Sequence, residues 1–79
     1  MTQLSDPALC ALNDPHALPR LQVAATYAGR GQPIAASTWF CEVAKGALPY
    51  QAAPARILRV ALELAEYCDA QWLAENTEA

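Results

Sequence analysis

The side chains able to do covalent or acid–base chemistry are few and scattered. His16 is the single histidine, and no serine or cysteine stands beside it in a nucleophile–base arrangement. A histidine without partners lacks the geometry of a general base. The cysteines, Cys10, Cys41 and Cys68, are odd in number and widely spaced, whereas a zinc site draws on closely spaced ligand pairs. They read as reduced, partly buried thiols of a cytoplasmic protein. The acids do not follow a calcium-loop pattern, and no glycine loop is spaced to cradle a phosphate. No enzymatic activity, small-molecule substrate, cofactor or metal is expected.

What the sequence does offer is a pattern of charge. The net charge is −3, yet it is unevenly laid out. Residues 1–14 carry Asp6 and Asp14 without a base, a net −2. Residues 15–59 carry Arg20, Arg30, Lys45, Arg56 and Arg59 against Glu42 alone, a net +4. Residues 60–79 carry Glu63, Glu66, Asp69, Glu75 and Glu78, a net −5. A basic middle between acidic ends points to one face for a polyanion and another for a different partner.

The elements that must position those bases are helical. Seventy-nine residues make one domain, 1–79, rich in alanine, sparse in glycine and poor in β-branched side chains; this predicts an all-α fold of about four helices. A domain so short is marginal alone, so oligomerisation is expected. No apolar run approaches the length of a membrane span, and no secretory leader is visible. Ser5-Asp6-Pro7 reads as a helix start, with Leu9 and Leu12 on the buried side of a short helix. Asn13-Asp14-Pro15 repeats the start signal for a second helix, with Pro19 in its first turn or, alternatively, at its start. Leu18, Leu21, Ala25 and Ala28 share one of its faces, and Gly29 and Gly31 end it.

Residues 34–49 form the stretch that organises the rest. Ala36 to Lys45 reads as a short helix, closed by Gly46 in a left-handed conformation and stopped by Pro49. Trp39 and Val43, four apart, are expected to face the core. Ala36, Ser37, Phe40 and Cys41 then face outward. Pro54 opens the last and longest helix, running to about Ala74. Ile57, Ala61, Leu64 and Cys68 make one apolar stripe; Leu58, Leu62, Ala65 and Trp72 make a second. Together they exceed what one small domain covers, so part of this helix is expected to face a second copy.

Gln22 to Gly29, with Ala25 between, and the run Ile34 to Pro49 together resemble the helix-turn-helix of small repressors from bacterial plasmids and phages. Among them the compact control repressors of broad-host-range plasmids, the KorC type, are the most similar. The resemblance implies a cytoplasmic homodimer that binds a palindromic double-stranded DNA operator and blocks promoter access. It makes Ala36 to Lys45 the recognition helix. Ser37 would meet a base edge or a phosphate, Thr38 a phosphate or the helix cap, and Ala36 and Phe40 a thymine methyl.

The outward positions of that helix carry no Arg, Lys, Gln or Asn, so most of the grip is expected from its flanks. The expected DNA-binding set is therefore Arg20, Arg30, Gln32, Ala36, Ser37, Thr38, Phe40, Cys41, Lys45, Arg56 and Arg59. Arg56 and Arg59 lie in the first turns of the last helix, against the preference of its dipole; phosphates beside them would offset this. Glu42 pairs with Lys45 at i+3 or accepts from a cytosine amino group. The expected dimer interface is Ile57, Ala61, Leu64, Tyr67, Cys68 and Trp72, setting two recognition helices roughly 34 Å apart. The competing class is a small interaction module that uses Trp39, Phe40 and the acidic helix end to bind and inhibit a host protein.

Overall fold

A computed structural model describes residues 4–68. Four helices occupy them, α1 Asp6–Leu12, α2 Leu18–Gly29, α3 Pro33–Ala47 and α4 Pro54–Tyr67. The all-helical expectation holds, and there is no strand among the described residues. Each helix carries a proline at its first or second position: Pro7, Pro19, Pro33 and Pro54. No cap side chain bonds to any of these helix starts. Proline fills that role, because its missing N–H removes one of the donors left unpaired at a helix start and its φ is already helical.

The connectors differ from the sequence reading in two places. Asn13-Asp14-Pro15 does not start a helix. The Asn13 amide donates to the Leu9 carbonyl at 2.9 Å, closing α1, and the Asp14 carboxylate accepts the His16 N–H at 3.0 Å. Asp14 thus builds a turn, and α2 begins at Leu18. Gly46 does not close α3. The helix runs through it to Ala47 and stops where Leu48 turns extended (φ −106°, ψ 159°) ahead of Pro49. The left-handed glycine is Gly31, at φ +75°. It sits in the three-residue turn Arg30–Gln32, where the Gly31 N–H donates to the Ala28 carbonyl at 3.1 Å and the Gln32 N–H to Tyr27 at 3.0 Å. This pair of bonds caps the orphan carbonyls of α2 and reverses the chain into α3.

Helix α3 packs against each of the other three helices, and α1 also reaches α4. Eight of the 15 buried residues are alanine, which lets the helix backbones come close. Phe40, Leu21, Leu64 and Cys68 are the largest side chains fully enclosed. On α1 the buried side is Ala8 and Ala11; Leu9 is exposed and Leu12 half-buried, contrary to the expectation for Leu9. The Ser5 hydroxyl caps nothing. It donates to the Glu63 carboxylate and ties the start of α1 to α4.

On α4 the stripe assigned to a dimer interface lies inside this one chain. Ala61, Leu64 and Cys68 are buried with Val60, and Ile57 is half-buried against them. Tyr67 is exposed. The helix ends at Tyr67 rather than continuing, with Cys68 in a non-helical conformation; the expected extension over 69–74, with Trp72, lies outside the described residues. No helix among the described residues is long and apolar enough to cross a membrane.

Two glycine substitutions are expected to move stability in opposite directions. A Cβ at either Gly31 or Gly46 meets nothing within 4 Å, so only the backbone decides. Gly31→Ala should cost about 1–2 kcal/mol, the penalty of a left-handed L-residue. Gly46→Ala, in the last turn of α3, should stabilise by up to about 0.5–1 kcal/mol. Urea titration followed by far-UV circular dichroism measures both.

Candidate functional site

The face that α3 turns outward differs from the one its sequence suggested. Ala36, Phe40, Val43 and Ala44 are buried, at spacings of four, three and one, and Ala47 is half-buried on the same side. Ala36 and Phe40 are therefore core residues and cannot touch a base. Trp39 is only half-buried, at the edge of the core. The reason is that α3 has neighbours on three sides. It buries a broad arc, and the small alanines select where that arc lies because helices approach most closely over them.

Exposed on α3 are Pro33, Ile34, Ser37, Thr38, Glu42, Lys45 and Gly46, with Cys41 half-buried. Ser37 and Thr38 stand in the first turns, just after the exposed turn residues Arg30 and Gln32. The Thr38 hydroxyl donates back to the Ile34 carbonyl at 3.1 Å, leaving its lone pairs to accept. Lys45 reaches Glu42 at 3.4 Å with both side chains 56% exposed, a contact worth only a few tenths of a kcal/mol. Arg20 is exposed at the start of α2 and shares a shallow cavity with Glu42 and Gly46, beside the far end of α3. Cations thus stand at both ends of a polar strip. Gln32 and Lys45 are separated by about 20 Å along the axis at ~1.5 Å per residue.

Arg56 and Arg59 do not join this strip. They line a cavity with Ser5, Pro7 and Glu63, on the flank of α4 that faces α1. The flank facing α3 is apolar. Leu58, Ala61, Leu62 and Ala65 border a groove of about 740 Å³ whose opposite wall includes Ile34, Ser37 and Cys41. Ile34 is 84% exposed, Leu62 57% and Leu58 50%. Ile34 went unassigned in the sequence. The Leu58–Leu62–Ala65 stripe was visible there, but only the packing shows that it, and not Ile57–Ala61–Leu64, is the stripe left uncovered.

His16 is exposed in the turn before α2, near Cys10 and Asp14. Cys10 is exposed and Cys68 buried. Comparison with protein-family models, with curated proteins and with solved structures finds no match for this chain.

The reassignment of α3 is open to direct measurement. Phe40→Ala should destabilise the fold by about 3–5 kcal/mol, the cost of emptying a large core site. Ser37→Ala should stay within about 0.5 kcal/mol, as for exposed positions. Comparable losses for the two variants in denaturant titration would contradict the buried and exposed faces described above.

Proposed function

We propose that this chain binds double-stranded DNA through a helix-turn-helix made of α2, the Arg30–Gln32 turn and α3, and acts as a transcriptional repressor by occupying an operator. The observation that carries the reading is the polar strip on α3 with a cation at each end, fed by a three-residue glycine turn. Short glycine-containing turns of this length join the paired helices of such motifs. The residues at the start of the second helix are the ones that meet base edges, and here they are Ser37 and Thr38. Both are hydroxyls, which bond to several bases and discriminate weakly. Affinity on this reading comes mainly from phosphates held by Arg30, Lys45 and Arg20, with Gln32 as a further donor. Ala36 and Phe40 support the helix from behind.

The acidic excess suits this arrangement. Residues 4–68 carry five acids and five bases, so the net negative charge belongs to Asp69, Glu75 and Glu78 near the end of the chain. A neutral body presents its cations to a phosphate backbone without opposition from an overall field.

The test is the salt dependence of binding to a duplex of arbitrary sequence, read by fluorescence anisotropy between ~50 and ~200 mM salt. Three phosphate contacts per protomer give a log–log slope of about −2.7 for each protomer bound. Arg30→Ala and Lys45→Ala should each flatten it by about 0.9, whereas Arg56→Ala should leave it unchanged. A chain that retains no duplex at the lowest salt does not bind DNA, and the reading fails.

A further inference from the structure

We infer that the turn 49–52, just past the end of α3, is a further DNA-contact element, in which Tyr50 and Gln51 hold the duplex backbone beyond Lys45; the inference rests on the DNA-binding reading given above. Tyr50 is 93% exposed, more than any other large apolar side chain among the described residues. That exposure belongs to a well-anchored turn. Leu48 before it is buried, and Ala52 at its close packs against the core. The Ala52 N–H donates to the Pro49 carbonyl at 3.1 Å. Pro49 opens the turn and Pro54 follows it, each with a fixed φ. A side chain carried on so constrained a backbone is pre-organised for binding, because little main-chain freedom is left to lose.

The backbone of the turn points the same way. Gln51 stands at φ +69°, the one residue other than glycine with positive φ among the described residues. The third position of such a turn ordinarily falls to glycine or asparagine, which take a left-handed conformation at low cost. Glutamine takes it at a greater cost, and its side chain is exposed rather than packed into the fold. Backbone strain of this kind concentrates where a side chain serves binding.

Lys45 links the turn to the polar strip. It lines the groove beside Ser37 and Thr38, and it also lines a cavity of about 230 Å³ bordered by Tyr50, Gln51 and Ile57. The surrounding charge suits a polyanion: residues 43–62 contain Lys45, Arg56 and Arg59 and no acid. A phenol hydroxyl and a side-chain amide both donate hydrogen bonds, and both are used on phosphate oxygens. Lys45 then neutralises one phosphate, while Tyr50 and Gln51 donate to backbone oxygens next to it. Contacts of this type fix the register of α3 on the duplex without reading sequence.

The experiment measures binding of the full chain to a duplex of arbitrary sequence by fluorescence anisotropy, across the same salt range, for Tyr50→Phe and Gln51→Ala. The first variant removes one hydroxyl. The second removes the amide and keeps an L-residue at the strained position. Both residues are exposed, so the urea midpoint should stay at that of the parent. Neither side chain is charged, so its contact carries no counterion release. Affinity should therefore fall about 5-fold at every salt concentration for each variant, as for one lost hydrogen bond, with the log–log slope unchanged. Lys45→Ala, by contrast, flattens the slope. A parent that binds duplex, with either variant binding as tightly, overturns the inference and leaves the DNA-binding reading standing. An affinity loss that tracks a lowered urea midpoint overturns it as well, because the side chain then serves the fold. A parent that retains no duplex at the lowest salt fails the DNA-binding reading itself, and this inference with it.

Discussion

The structure depends on one helix being enclosed by three others. Four short helices can bury a core only if one of them is shared, and α3 is that helix. A helix with neighbours on several sides must carry small residues where backbones close in, and α3 meets this with Ala36 and Ala44 on either side of Phe40. Phe40 then fills the space that the alanines leave, the one fully buried aromatic among the described residues. An alanine-rich core removes little apolar surface per residue, at roughly 25 cal/mol per Å². Stability in so small a domain is correspondingly slight.

That enclosure fixes what is left for function. With its apolar arc committed inward, α3 presents only a narrow polar strip and one apolar margin. The strip ends in Arg30 of the turn and Lys45 of α3 itself, and the margin adjoins the exposed Leu58 and Leu62 of α4. Polar and apolar surfaces therefore adjoin along a single helix.

Much of the architecture was legible in the sequence, and the reason is proline. Pro7 and Pro54 mark helix starts because a fixed φ and a missing donor are local properties that need no tertiary context, and Pro19 marks the later of the two starts open for α2, whereas Pro15 carries the same signal in a turn. Pro33 carries the same signal, three residues before the start expected at Ala36. Facing was harder. Helix α3 is apolar almost all round, so the i,i+4 pair Trp39–Val43 was no better a guide than Phe40–Ala44. On α4 two apolar stripes of equal quality ran in parallel, and spacing alone does not say which one the chain itself covers. The candidate strip suffered in the same way. Arg30, Gln32, Ser37, Thr38 and Lys45 are exposed, while Ala36 and Phe40 are buried and Arg56 and Arg59 lie on another flank.

The bond between the Ser5 hydroxyl and Glu63 joins residues 58 positions apart. It lies where α1 packs on α4, so the first and last described helices are in contact. Contacts of such long sequence separation raise the contact order of a helical domain and slow its folding relative to a simple hairpin of helices. Fraying of α1 exposes the flank of α4, and loosening of α4 uncovers α1. The helical body of the chain is thus expected to open as one cooperative unit, with hydrogen exchange in α1 slowed toward the level of the central helix despite its brevity.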